Sequence, residues 1–270
     1  MDIGEAVNVS LIKPELHNEK TCPFCSADES DTKENLLDND AEKLRASCHE
    51  GDLTGLPEPC TSRVGSPQWK VEYTHPVTGD EAVSEVRSNP HHCIPGEASL
   101  KGRSEHPILK AIEKAKGTIT GDIGYNVNGR LNGVWLPTII EHFYGGYQST
   151  DPIAGITWGS LSKKYPEKQF SMAEAAMHET RRQFHDAHPE YSLNVKQRLD
   201  KLLNKLVIRK LNCPIAGPKG KPDVPPPYAL VQWLNALSHA MAGHLVGEAP
   251  RWRDPMFTSR HAKAFRNKLK

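Results

Sequence analysis

The sequence predicts an α+β chain, a small β-hairpin embedded in a mainly α-helical domain, and three observations carry that reading. Apolar and polar residues alternate from Trp69 to Thr74 and the chain returns as a second strand over Ala82 to Arg87, the period of two that a half-buried strand demands. Further on the period changes, with Val195, Leu199, Leu202, Leu206 and Val207, then Trp233, Leu234 and Leu237, recurring at helical spacing. The 21 prolines and 20 glycines among 270 residues leave room for many loops between these segments.

Residues 1–65 carry 14 acidic and 6 basic residues, a net of −8, and only Asp40 to Cys48 reads as a helix. The other 19 acidic and 28 basic residues fall in 66–270, a net of +9, so the chain's +1 conceals a strong asymmetry. We therefore expect an acidic, cysteine-containing segment over 1–65 and a basic domain over 66–270 suited to a polyanionic partner. Cys22-Pro23-Phe24-Cys25 has the spacing of a zinc knuckle, and Cys48, His49 and Cys60 are candidates to complete four ligands of a structural zinc. The competing reading is of unliganded thiols, since the six cysteines follow no disulfide-scaffold pattern. No apolar run approaches the roughly 18 residues of a membrane helix, and Met1 to Glu5 has neither the basic start nor the apolar core of a signal peptide. The expectation is a chain made in the cytoplasm, with no membrane partner.

The hairpin turns at Pro76-Val77-Thr78-Gly79-Asp80 and delivers Asn89-Pro90-His91-His92-Cys93-Ile94-Pro95. Pro90 and Pro95 bias their neighbours toward extended backbone, so the two imidazoles leave the strand on opposite sides. Ser104 is placed to cap a short helix through Ile112, ended by Gly117. Asn126 to Gly133 is rich in turn residues, and Val134-Trp135-Leu136-Pro137 reads as a short apolar strand. Ser171-Met172-Ala173-Glu174 is a capping box, which predicts a helix running to His188, just before Pro189. On that helix His178 and His185 lie about 20° apart and His188 about 60° from His185, so all three share a face. They are candidate metal ligands, or alternatively a solvated face beside Arg181 and Arg182.

A second helix begins at Ser192, Cys213 to Pro227 is a Pro/Gly/Lys-rich connection, and Tyr228 to Val246 is an apolar helix. The tail from Arg251 to Lys270 has seven Lys/Arg against one acid, Asp254, interleaved with Trp252, Phe257 and Phe265. Basic residues with aromatics between them suit phosphate backbones and bases, which makes Arg251, Arg253 and Arg260, with Arg181 and Arg182, the candidate nucleic-acid contacts. A solvated helix end is the plainer reading.

A hairpin ending in His91-His92, the segment Asn132-Gly133-Val134-Trp135-Leu136-Pro137, and His185-Asp186-Ala187-His188-Pro189-Glu190-Tyr191 together resemble the HNH superfamily, the ββα-metal or His-Me finger nucleases. The nearest likeness is to its AHH branch of polymorphic bacterial toxins, over roughly residues 85–200. The resemblance implies a ββα-metal finger with His91 as a metal ligand, His92 as general base and Asn132 holding the base by a hydrogen bond, as in the nuclease colicins. His185 and His188 would complete the site for one divalent ion, Mg, Mn, Ni or Zn. Their spacing is three rather than the four common in the family, with Phe184 four before His188, which keeps His178 as an alternative ligand. Pro90 stands where the branch has alanine.

The resemblance further implies a DNA endonuclease, with RNA a less favoured substrate, acting as an antibacterial toxin delivered to a target cell's cytoplasm by a machine such as a type VI secretion system. A cognate immunity protein and a secretion or adaptor component, the latter met by residues 1–65, would be its partners. Two other classes compete. One is a zinc hydrolase of non-nucleic substrates using His178, His185 and His188. The other is a non-enzymatic module in which cysteines hold zinc and the basic part binds nucleic acid.

Overall fold

The structure, a computed structural model, describes residues 17–25, 34–49, 60–61, 67–74, 79–138, 158–164, 166–217 and 224–269. It is an α+β arrangement built on a four-stranded antiparallel sheet in the order β1 (Cys60–Thr61), β2 (Pro67–Thr74), β3 (Glu81–His92) and β4 (Gly133–Thr138). The expected hairpin is β2 with β3, paired as Trp69 with Val86 and Tyr73 with Ala82. The side chains of Trp69, Val71 and Tyr73, and the turn residues Pro76 to Thr78, lie outside the described residues. The second half of β3 outruns β2 and pairs with β4, setting His91 opposite Val134 and His92 opposite Gly133.

The described residues also form six α-helices: α1 (Ala41–His49), α2 (Trp158–Lys164), α3 (Pro166–Thr180), α4 (Pro189–Leu211), α5 (Leu230–Leu245) and α6 (Arg260–Lys268). Asp40 starts α1 by accepting from the backbone N–H groups of Glu42 at 3.1 Å and Lys43 at 3.0 Å. This helix lies directly on the end of β4, where a Cβ on Gly133 would come 2.3 Å from Cys48 Sγ and 2.9 Å from Leu44 Cδ1. Only a glycine allows that approach. Leu44, Cys48 and Trp135 bury one another as a result.

Two expected helices are differently built. The short one is a 3-10 turn over Pro107–Ala111, capped by His106, whose Nδ1 accepts from Ile108 N at 3.1 Å, and not by Ser104; Pro107 fixes its first position. The helix predicted from Ser171 to His188 starts earlier, at Pro166, and ends at Thr180. Ser171 is inside it, its hydroxyl donating to Glu167 O at 3.1 Å as a mid-helix serine does. Arg181 has φ +50 and ends the helix. Beyond it the backbone finds partners elsewhere in the fold: Gly247 N donates to Arg181 O at 2.7 Å, Gln183 N to Leu245 O at 2.9 Å and His185 N to Pro137 O at 2.8 Å. The Gln183 amide, fully buried, donates to Met256 O and accepts from Thr258 N, both at 2.9 Å. These tertiary bonds outcompete continuation of the helix.

The main core joins Ile94, Val134, Tyr191 and Leu199 to α5 residues such as Leu234. Cys22, Phe24 and Leu37, from the segment expected to stand apart as residues 1–65, are buried in that same core. The second core contains Val86, Met177, Phe184, Trp252, Phe257 and Phe265. The tail aromatics are therefore internal, each contributing about 1.5–3 kcal/mol by leaving water, and they are not faces for stacking bases. Among the described residues no helix is long and apolar enough to cross a membrane.

Candidate metal centre

His91 leaves β3 toward α4 and is buried, with rings of His185, His188 and Tyr191 around it at centroid distances of 5.0, 4.9 and 4.9 Å. His185 is fixed at the outer edge of β4 by its backbone N–H to Pro137 O and by Thr138 Oγ1, which donates to His185 O at 3.1 Å. His188 is the residue before Pro189 and forms the N-cap position of α4. Tyr191, one turn in, donates its buried hydroxyl to Cys93 O at 2.8 Å and so locks the start of the helix to the end of β3. One donor nitrogen from each histidine lies within 4.8 Å of the other two. His178, His185 and His188 do not share a helix face as the sequence predicts: His178 is on α3, His185 lies in the irregular segment after it and His188 is at the cap of α4, and the partner of the last two is His91 from β3.

The electrostatics favour neutral imidazoles. His91 is held well below its usual pKa by burial and then by the neighbouring His185 and His188. His185 is pushed down to about 3, first by burial and then by His188, and burial lowers His188 as well. A neutral imidazole offers a lone pair, which is what a metal requires. His91 Nε2 is buried and has no hydrogen-bond partner, an arrangement that needs an explanation in a native interior. The Nε2 atoms of His185 and His188 are 3.2 Å apart. Metal–nitrogen bonds of about 2.0–2.1 Å put ligands about 3.4 Å apart at a tetrahedral centre and about 3.0 Å at an octahedral one, so the cluster fits one divalent ion.

His92, half-buried on the other side of β3, places Nε2 at 2.9 Å from Asn128 Oδ1. Which end of that amide is oxygen follows from its other partners. Asn128 Oδ1 also accepts from Asp40 N at 2.9 Å, and Nδ2 donates to Asp38 O at 2.9 Å. His92 therefore carries its proton on Nε2 and leaves Nδ1 as the free base. Burial depresses its pKa, partly opposed by the Asn128 hydrogen bond and by Glu97 and Asp40.

Asn132 does not hold His92. It is fully buried and ties the exit of β3 to α5: Oδ1 accepts from Ile94 N at 2.8 Å and Ser238 Oγ at 2.7 Å, while Nδ2 donates to Ile94 O at 2.9 Å and Val127 O at 2.7 Å. Its short side chain is saturated by three backbone groups and the Ser238 hydroxyl, and does not bond the imidazole as well. His178 is exposed on α3, lining a groove with Glu174, Glu179 and Glu248, and among the described residues it belongs to no group of side chains that could hold a metal ion. Arg182 is buried and donates to Trp135 O at 2.9 Å, so it braces β4. Arg181 is exposed and pairs with Glu248 at 3.3 Å. Arg253 donates to Pro250 O at 3.2 Å and Arg260 to Gln169 Oε1 at 2.7 Å, while Arg251 is exposed. Cys22 and Cys25 meet His17 and Cys213, whereas Cys48 lies under Gly133 in another part of the core. The side chains of Cys60 and His49 lie outside the described residues.

Sequence reasoning missed Asn128, His17 and Cys213. Asn128 sits in the turn-rich stretch Asn126-Val127-Asn128-Gly129, and Cys213-Pro214 repeats the Cys-Pro step of Cys22-Pro23, which is the signal that links the two. Comparison of the chain with protein-family models, curated proteins and solved structures finds no match.

Proposed function

We propose that the chain is a metal-dependent endonuclease that hydrolyses DNA phosphodiester bonds at a ββα-metal finger made of β3, β4 and the start of α4. The observation that carries the reading is the buried, unpartnered Nε2 of His91 facing His185 and His188, with the oriented imidazole of His92 on the adjacent residue. His91, His185 and His188 would hold one divalent ion, which when bound supplies positive charge against the phosphate and the leaving oxygen. Three neutral nitrogens suit Mn, Ni or Zn better than Mg. His92 Nδ1 takes the proton of the attacking water, and Asn128 keeps the ring in the tautomer that can do so. The site lies at the N-terminus of the 23-residue α4, whose dipole favours an anionic group there. The net of +9 over 66–270 supports a polyanionic substrate.

The test is supercoiled plasmid incubated with the purified chain in Mg²⁺, Mn²⁺, Ni²⁺ or Zn²⁺, with an EDTA control. Metal-dependent nicking and linearisation are expected; intact plasmid under every metal would end the reading, and cleavage of RNA alone would move the substrate. The alternative of a zinc hydrolase of non-nucleic substrates is less well supported, because His178, one of its three ligands, does not group with His185 and His188.

On the resemblance alone, the same activity is proposed to act as an antibacterial toxin, delivered by a secretion or adaptor component and neutralised by an acidic immunity protein that matches a basic cleft. A bacterial host expressing the chain should then lose its chromosomal DNA and its viability, and one expressing His92→Ala should keep both.

A further inference from the structure

The second cluster of donor side chains lies apart from the histidine centre and joins pieces of chain that are far apart in sequence. His17, Cys22 and Cys25 come from the first described segment and Cys213 from just beyond the end of α4, and one donor atom from each lies within 4.8 Å of all the others. We propose that these four residues form a closed, structural zinc site that fastens residues 17–25 to the end of α4.

The distances match the ion and not the alternatives. Cys25 Sγ is 3.6 Å from Cys213 Sγ and 3.4 Å from His17 Nε2. A tetrahedral centre with zinc–sulfur bonds of about 2.3 Å and zinc–nitrogen bonds of about 2.0–2.1 Å sets its sulfurs about 3.8 Å apart and sulfur and nitrogen about 3.6 Å apart. A disulfide requires about 2.05 Å. A pair of thiols in simple contact would give one short distance, without a third sulfur and an imidazole converging on it.

The backbone around the sulfurs is shaped as a metal-binding turn. Gly217 N donates to Cys213 O at 2.7 Å and Ala216 N donates to Cys213 Sγ at 3.4 Å; an N–H directed at sulfur is how a protein supports a thiolate ligand. Gly217 has no alternative at its position, since a Cβ would lie 2.5 Å from Cys213 O and 2.7 Å from Lys210 O. On the other side Cys25 N closes the turn onto Cys22 O at 3.2 Å. Cys22 and Cys213 are buried, and four protein donors leave no position for substrate, which marks a structural site. Three sulfurs and one imidazole select zinc over the hard ions Mg²⁺ and Mn²⁺.

The site is independent of the nuclease reading, and its test is arranged to keep the two apart. The full chain carrying His91→Ala and His188→Ala, purified under reducing conditions, should retain one equivalent of zinc by elemental analysis. Replacing that zinc with Co²⁺ should give a thiolate-to-cobalt charge-transfer band and the strong visible bands of tetrahedral cobalt. In this background Cys213→Ser and His17→Ala each lose the equivalent, and Cys48→Ser keeps it. Because loss of a ligand can also unfold the chain, alkylation of the unmutated sulfurs is followed in parallel by peptide mass spectrometry. Cys25, half-buried, should resist iodoacetamide until a strong chelator is added, and then react together with Cys22 and Cys213. Cobalt uptake without the charge-transfer band, full zinc in a folded Cys213→Ser chain, or equal alkylation of Cys25 with and without chelator would overturn the proposal.

Discussion

Asn128→Ala separates a positioning role from a merely structural one. The side chain is buried and makes three contacts, accepting from Asp40 N and His92 Nε2 and donating to Asp38 O, all at 2.9 Å. Leaving such partners unpaired costs about 1–3 kcal/mol each when water is excluded. Here Asp38 is exposed and Asp40 half-buried, so water replaces part of what is lost and the total is about 2–3 kcal/mol. A chain of 270 residues unfolds with an entropy of about 0.6 kcal/mol/K, so Tm should fall by about 4–5 °C. The folded fraction at 25 °C barely changes, yet the His92 ring is now free to rotate and to move its proton to Nδ1. Loss of an orienting partner of this kind costs about 10–100-fold in activity. The pH profile supplies the sharper sign. With His92 as the proposed general base, its neutral form is the active one, so kcat/KM should fall as pH drops through the pKa of His92, which burial already sets below 6.5. The Asn128 hydrogen bond raises that pKa, so its removal should shift the acid limb to lower pH even as the plateau drops. Plasmid nicking at saturating metal, with metal content measured at each pH, reads both effects. A variant as fast as the parent, or one whose acid limb stays where it was, would refute the assignment of Asn128 to the base.

The other expectations are briefer. His92→Ala should lose about 10²–10⁴-fold in cleavage rate with metal uptake unchanged by calorimetry; wild-type nicking would remove His92 from the chemistry. His185→Ala or His188→Ala should lose metal and activity together, whereas exposed His178→Ala should lose neither, and the reverse result would redraw the ligand set. Without bound metal, His91 and His185 stay neutral as pH falls, while the unfolded chain takes up protons below about 6.5, so stability is full above 6.5 and declines below it, by about 2 kcal/mol per group at pH 5. Thermal melts at pH 7 and 5 should show that loss, and the slope should lessen in His185→Ala. A chain lacking residues 1–65 should give no cooperative melt and no cleavage, because Phe24 and Leu37 belong to the main core and Asp38 and Asp40 hold Asn128; an active truncated chain would show those contacts to be dispensable.

What the sequence disclosed follows from how local each signal is. Strand alternation and the Pro-flanked His91-His92 depend on neighbours one or two residues away, and β3, β4 and the opposed imidazoles agree with them. The apolar spacing of α4 and α5 is similarly self-contained. The span 181–188 failed because its backbone partners are Pro137, Leu245 and Gly247, which no helical wheel can reveal. Asn132 looked like a catalytic residue because motif position says nothing of how many backbone groups an amide will meet. The tail charges read as a nucleic-acid surface, yet Trp252, Phe257 and Phe265 are buried in the second core; basic residues interleaved with aromatics describe a tail packed on a core with its charges outward as well as a stacking platform. Charge asymmetry likewise divides composition without dividing the core, and Leu37 crosses that division.

The clamp formed by Asn132 has a consequence in time. Ser238 Oγ, one of its four partners, lies 106 positions further along the chain, and Gln183, which sets the path to His185, leans on Met256 and Thr258. A ribosome releases the polypeptide from its N-terminus, so β3 and β4 emerge with both of their histidines long before the helices that tighten them. The centre is thus incomplete throughout most of translation and closes only when the last stretch is free to dock. If the chain is the toxin proposed above, that delay would give an inhibitor synthesised alongside it an interval in which to arrive first.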